Sequence, residues 1–453
     1  MKHATRVISI SIAFALVCLL ENGCATVRKA RQAQDAQKAP AGERTVTAAE
    51  INLNSNSVLT LDEALRLALT YRPSVVQARQ NLVVASNQFR EARAAYWPTL
   101  SAGVGYSRAT ANQQGSPSSS HSDNSYSGSL NMDLLIYDFG KTPAVVREAY
   151  ERQVSATENL RAALNDGTFN VRSAFYDLCR QQELLQVADD AVRQYHAHLE
   201  QARAFEEVGR VTRYDVTKAE VDLGNARLTQ INASNAVIAA RATLNRNLGL
   251  AERPNYRVGD PPADQIQGTL DSLMAVARER HPQLRSLKAQ ERAASAAVDA
   301  AIADLYPSLG LQAQYTETGS HFPLTWNWSA GVQPVVDLFT GWLKTSRINE
   351  TAAQLRVARA QVADEEQQIY LDLSQALNAL DNARQRMELT DLILRQAKES
   401  LELVEERYKV GKASAVEVTD AEVAMTSARA NQVTARFDYQ TAVAQIKHAI
   451  GDV

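Results

Sequence analysis

Residues 208–227 read "VGRVTRYDVTKAEVDLGNAR", and residues 410–429 read "VGKASAVEVTDAEVAMTSAR". A phrase that returns 202 residues later marks an internal repeat, and a repeat constrains the architecture before any single element does. The echo runs outward in both directions. "TLDEALRLALTYRPSVVQ" from Thr60 matches "TLDSLMAVARERHPQLRS" from Thr269, an offset of 209, and "YWPTL" around Pro98 matches "LYPSL" around Pro307. From Tyr137/Phe339 onward the offset is 202, down to Leu248-Gly249 and Ile450-Gly451. The chain therefore divides into an export signal (1–24), a polar tether (25–57), repeat 1 (58–250), a linker (251–266) and repeat 2 (267–451). The change of offset falls between Pro98 and Tyr137, so that interval holds an exposed loop, where insertions collect.

The same interval reads as a strand hairpin. Leu100, Ala102, Val104 and Tyr106 alternate with Ser101, Gly103, Gly105 and Ser107. Tyr126, Leu130, Met132, Leu134 and Ile136 alternate with small or polar residues, and the serine-rich "TANQQGSPSSSHSDNS" lies between the two runs. Repeat 2 has the same scheme, with Leu309, Leu311, Ala313 and Tyr315, then Trp326, Trp328, Ala330 and Val332. Period two makes strands with one apolar and one polar face, which also suits a soluble sheet with one buried side. Strands of about ten residues at 99–137 and 308–339 suit a tilted membrane crossing instead. The polar faces are almost uncharged. Tyr96, Trp97, Tyr137, Tyr306 and Phe339 cluster at the strand bases like an interfacial girdle.

The rest is helical. Thr60 and Glu63 form a capping box that opens a helix expected to run to about Trp97, where Pro98 ends it. Further helices are expected over about 143–208 and 213–248. The three lengths come to about 57, 100 and 54 Å, so two short helices end to end match the long one and give two columns per repeat. "NDG" at Asn165–Gly167 is a turn signal inside the long tract; the helix is expected to continue through it, with a kink allowed.

At the repeated phrase, Gly209 and Gly411 suit the left-handed position after a helix. Thr212 and Ser414 suit the N-cap of the next helix, with Asp215 and Glu417 as its acidic partners. Each repeat thus encodes a tight helix–turn–helix tip. Any helical hairpin needs such a turn, but the shared "VTxAEV" goes beyond that need.

Composition excludes several functions. The net charge is −3, with acids and bases interspersed, so no basic face for nucleic acid exists. His196 and His198 are two apart on a helix and diverge, so they do not pair on a metal. No phosphate loop, nucleophile elbow or ligand cluster appears, and neither an enzyme nor a cofactor is expected. Lys2, Arg6 and the apolar run Val7–Leu20 form an export signal, and "LENGC" resembles a lipoprotein processing site with Cys24 as the lipidated residue. Cys18 leaves with the signal and Cys179 stands alone, so no disulfide is expected.

Two copies of helix, strand hairpin, long helix, "VGxxS/T" tip and closing helix resemble the TolC-like outer membrane factors. Their landmarks here are "YWPTL"/"LYPSL", the two tips and "RYKVGKASAVEVTDAE" from Arg407, and the likeness spans about Val58 to Gly451. It implies a mainly helical fold with a membrane β-barrel portion, assembled as a homotrimeric tunnel. The barrel would sit in lipid of a Gram-negative outer membrane and the helices would reach into the periplasm. Independently, four strands cannot close a barrel whose edges must be paired in lipid, so the chain must oligomerise.

By resemblance, Val208, Gly209, Arg210 and Thr212, with Val410, Gly411, Lys412 and Ser414, dock a periplasmic adaptor tied to an inner-membrane transporter. Arg210 and Lys412 replace the apolar third residue usual in such tips. Glu417 and Asp420, three apart, match an acidic ring at the tunnel's inner mouth; otherwise Glu417 is only a cap and Asp420 a solvated acid. Tyr408 matches a tyrosine that ties the closed tip to the acid at Asp215. Ala413 stands where an arginine would complete that lock, and Arg213 is its candidate substitute. The expected function is the outer-membrane channel of a tripartite efflux or type I secretion system. Its rivals are a periplasmic coiled-coil scaffold without a pore and a constitutively open porin.

Overall fold

The computed structural model describes Val27 and residues 58–112, 120–250, 254, 256–259, 266 and 268–452. The export signal, Cys24, the tether apart from Val27, the tip of the first hairpin and most of the linker lie outside the described residues.

The elements are β1 (Val58–Leu59), α1 (Leu61–Tyr71), α2 (Pro73–Ala94), β2 (Thr99–Asn112), β3 (Ser120–Tyr137), α3 (Lys141–Glu207) and α4 (Arg213–Leu248). Then come β4 (Arg257–Val258), α5 (Leu270–Arg280), α6 (Pro282–Ala303), β5 (Ser308–Gly319), β6 (Thr325–Val335), α7 (Leu343–Lys409) and α8 (Ala415–Ile450). Corresponding helices have equal lengths of 11, 22, 67 and 36 residues in the two copies.

The capping box that opens α1 is made: the Thr60 amide donates to Glu63 at 3.1 Å and the Glu63 amide to the Thr60 hydroxyl at 3.4 Å. The helix does not run on to Trp97, however. It stops at Arg72, whose φ −62° and ψ 125° are extended. Pro73 has no amide to bond backward, and its ring drives the preceding residue out of the helical region. His281 before Pro282 repeats the break with φ −60° and ψ 117°. After each proline the chain resumes as α2 or α6, to end at Ala94 and Ala303.

The long helix α3, by contrast, continues through Asn165–Gly167. The turn-forming side chains are used on a neighbour instead: Asn165 Nδ2 donates to the His448 carbonyl at 2.9 Å, and His448 Nε2 lies 2.7 Å from Asp166 Oδ1.

Two compact units cut across the copies, each holding segments of both. The first comprises residues up to 77, 164–267 and 376–448. Its core is built from side chains at helical spacing: Val171, Phe175 and Leu178 from α3, Leu244 and Leu248 from α4, and Phe437 from α8, all essentially inaccessible. Burying each contributes about 1.5–3 kcal/mol. At the edge of this core β1 and β4 pair in parallel, with Val58 opposite Arg257 and Leu59 opposite Val258. That pairing of two-residue strands carries no period and was not expected from the sequence.

The second unit comprises 78–163, 268–375 and 449–453. Buried Ala289, Ala293 and Ala296 line α6, and the Ser155 and Ser286 hydroxyls lie 2.9 Å apart in the interior. The unit also holds an antiparallel sheet in the order β2-β3-β5-β6. Its strands have 14, 18, 12 and 11 residues, longer than the expected ten or so. The excess is greatest in the first hairpin, whose distal ends, Ser107–Asn112 and Ser120–Ser125, are polar and carry no apolar alternation. The last strand ends at Val335 rather than Phe339, with Pro334 tolerated because β6 pairs on one side only.

Candidate functional site

The first unit carries both tips. Gly209 and Gly411 adopt φ 71° and 75°, as the left-handed cap requires. In the first, the Gly209 amide donates to the Glu206 carbonyl at 2.9 Å and the Arg210 amide to Phe205 at 2.8 Å. In the second, Gly411 donates to Tyr408 at 3.0 Å and Lys412 to Arg407 at 2.8 Å. This is the Schellman pattern, which satisfies the carbonyls a helix end leaves open.

Three residues after Gly411, Ser414 and Glu417 exchange hydrogen bonds: the Ser414 amide donates to Glu417 Oε1 at 3.1 Å and the Glu417 amide to the Ser414 hydroxyl at 3.2 Å. At the other tip Asp215 Oδ2 accepts both from the Thr212 amide, at 2.9 Å, and from its hydroxyl, at 2.8 Å.

With the backbone fixed, the turns present Val208 and Val410, 68% and 63% exposed. The two turns touch through their neighbours. The Phe205 and Tyr408 rings are 5.6 Å apart and the Arg210 guanidinium lies 5.4 Å over Phe205. Neighbouring charges are paired: Arg213 with Glu206 at 3.5 Å, Lys409 with Glu406 at 2.8 Å and Arg407 with Glu417 at 3.5 Å. Arg210 and Lys412 have no ion pair among the described residues, which leaves two exposed cations beside two exposed valines.

Glu417 and Asp420 are both exposed at the start of α8. The Ser414 amide, helped by its hydroxyl and by Arg407, holds the Glu417 carboxyl below its ordinary value. The copy-one counterpart of Asp420 is Lys218, ion-paired with Asp222 at 3.2 Å, so only repeat 2 presents two acids here.

Tyr408 is 5% exposed and its hydroxyl has no hydrogen-bond partner among the described residues. The structure thus does not make the expected tie to Asp215, whose carboxylate caps α4 instead. Arg213, the candidate substitute in that lock, is on Glu206. What joins the tips is apolar: Tyr408, Ala415 and Val418 are buried against Phe205, Val404 and Ala413. The period-based reading also passes over Glu422, an acid buried behind this tip. Its signal in the sequence is the residue at the offset of 202 from Arg203, which is Glu405.

In the second unit, directly opposed residues share a face. Leu100, Met132, Ala313 and Ala330 form one apolar row across all four strands, and Ala102, Leu130, Tyr315 and Trp328 form the next. The other face shows Ser101, Asn131, Gln314 and Ser329 in register. The apolar face is uncovered within the chain; Val104 is 96% exposed. Aromatic groups bound it at both ends. Tyr137 packs on Phe139 at 4.9 Å and Phe139 on Tyr306 at 5.6 Å near the strand bases, and Tyr106, Tyr126 and Phe322 cluster at the far end. Tyr306 and Tyr315 are nine residues apart, which in a tilted strand spans about 20–25 Å, the height of a membrane band.

Among known proteins, the family described as outer membrane efflux protein matches residues 64–250 and 273–452. The chain is 28% identical over 66% of its length to protein CyaE of Bordetella pertussis, covering 64% of that protein, just under two thirds. It is 23% identical over 86% of its length to the outer membrane efflux protein BepC of Brucella suis, covering 85% of it. Its fold superposes on the CmeC outer membrane channel of Campylobacter jejuni with a TM-score of 0.78 at 17% identity, over 86% of this chain and 85% of that one.

Proposed function

The chain belongs to the family of outer membrane efflux proteins, and from that premise we propose that three copies form a passive export duct. Four strands from each subunit close a twelve-stranded barrel, and the helices enclose a periplasmic tunnel. The observation that carries this reading is the sheet. Its edge strands β2 and β6 are each paired on one side, and its apolar face is bare and bounded by aromatics. An open edge is not viable in lipid, so neighbouring subunits must complete it.

The tips dock a periplasmic adaptor, which links the duct to an energy-supplying inner-membrane transporter of a tripartite efflux or type I secretion system. The adaptor opens the mouth by spreading the helices. Val208 and Val410 supply apolar contact. The unpaired Arg210 and Lys412 select an adaptor tip that carries acidic groups. Glu417 and Asp420 from three subunits form a cation-attracting ring on the path. A lipid on Cys24 adds a second membrane anchor, which labelling with a radioactive fatty acid would detect.

The decisive experiment is purification from outer-membrane fractions followed by planar-bilayer recording. Heat-resistant trimers with ion conductance are expected. A non-conducting protein would favour a scaffold, and transport that persists without any adaptor would favour an open porin.

A further inference from the structure

Glu220 and Glu422 occupy the same position in the two repeats, yet their surroundings are opposite. Glu220 is exposed and accepts from Arg203 of α3 at 2.9 Å. At the position of Arg203 the second copy has Glu405, so Glu422 has lost its cation and gained an acid. It is also 3% exposed, and one of its carboxylate oxygens has no hydrogen-bond partner among the described residues.

The groups that face it come from three helices. Gln194 of α3 donates to the other oxygen, and Lys218 of α4 favours the charge; Glu405 of α7 and Asp222 of α4 oppose it. Lys218 is already engaged by Asp222. Tyr195 and His198 of α3, both buried, line the same interior, and burial holds the His198 imidazole below its ordinary value. Asp420 and Glu417, on the same helix, point to solvent.

We propose that Glu422 is a proton-operated latch on the mouth: while its carboxyl is neutral the first turns of α8 stay packed on α3, and its ionisation loosens them. Burial first, then Glu405 and Asp222, push its carboxyl up from 4.5 to about 7. The closed packing is therefore firmest in acid and weakens as pH rises towards that value. The loss spans the interval from the exposed group's ordinary 4.5 up to about 7: within it each pH unit lowers the closed-to-open ratio by up to about tenfold per subunit, and above it the ratio is level.

This rests on the reading that the start of α8 borders the aperture, and planar-bilayer recordings on the full-length protein from about pH 4 to about 8 test it. Wild-type conductance rises as pH goes from about 4.5 to about 7 and is level above that. Glu422→Gln, permanently neutral and nearly isosteric, stays low and flat. Glu220→Gln keeps the wild-type curve. A Glu422→Gln curve that tracks wild type, or a wild-type curve that is flat, overturns the latch. No conductance at any pH would instead sink the duct itself. If Glu422→Gln fails to assemble, amide exchange in the first turns of α8 of the wild type takes its place. Its protection factor should fall as pH rises from about 4.5 to about 7, and an unchanged protection factor counts against the latch.

Discussion

The Arg210 Nη2 atom stands 3.7 Å from where a Cβ on Gly411 would project, so the second tip is roofed by the side chain of the first. Nothing lies within 4 Å of the equivalent point on Gly209. Both glycines are held at positive φ by the turn, not by crowding. Gly209→Val or Gly411→Val should therefore cost about 1–2 kcal/mol of local strain and leave assembly intact. The added methyls would reshape the docking surface, and export should be lost. Gly249 is the contrast: its Cβ would sit 2.6 Å from the Tyr71 carbonyl oxygen, so Gly249→Ala must displace backbone. That variant should lose heat-resistant trimer on gels. Unchanged export in both tip variants would remove the docking role.

Ala330 and Ser329 are neighbours on β6 that face opposite sides of the sheet. If the apolar side meets lipid, Ala330→Arg should destabilise the barrel by about 2–4 kcal/mol, while Ser329→Arg, on the wet side, should be tolerated. Refolding into lipid vesicles under urea reads the difference. Equal tolerance would argue that neither face sees hydrocarbon.

Much of this was legible in sequence because the repeat doubles every weak signal. Pro98 and Pro307 mark the change from helix to strand in both copies, and the tips are spelled twice. The breaks at Arg72 and His281 were equally available, since each precedes a proline. They are masked because the helix resumes at once, and a one-residue interruption barely disturbs the apolar spacing. The β1–β4 pair lay beyond reach: two residues have no period, and their partners lie some 200 positions away. Glu422 was hidden for another reason. Its copy-one twin is a solvated, ion-paired acid, and burial depends on how α8 is turned against α3, which no local pattern encodes.

Glu417 and Asp420 give a prediction about ions. Replacing them with Gln and Asn should weaken block of the conductance by multivalent cations, and unaltered block would leave Glu417 as a cap alone. The pH dependence has a definite sign. Glu417 is held below its ordinary value of 4.5 in the folded tip. The support it gives is full above that value and is lost as pH falls through the lowered one. Amide protection at the start of α8 should therefore be lost through Glu417 only below about pH 4.5, whereas Glu422 acts between about 4.5 and 7 with the opposite sign.

If the tips dock an adaptor as proposed, their unpaired cations should make that binding salt-sensitive. Arg210→Gln with Lys412→Gln should weaken binding of the adaptor that supports export, and should flatten its dependence on ionic strength. Reversing both to Glu should weaken it further. The docking reading survives if binding is lost only in the glycine variants, but the choice of an acidic partner does not.

Tyr408 separates ring from hydroxyl. Its ring is buried against Phe205, with His198 5.7 Å away, while its hydroxyl bonds nothing. A buried hydroxyl without a partner costs about 1–3 kcal/mol, so Tyr408→Phe should leave the resting conductance unchanged and the protein as stable or more so. Tyr408→Ala removes the packing that joins the tips, at about 3–5 kcal/mol, and should raise the resting conductance. If Tyr408→Phe alone opened the mouth, the hydroxyl would have to find Asp215 in the assembled trimer. The carboxylate would then have to leave Thr212, and the closed state would be held by a polar tie and not by apolar contact.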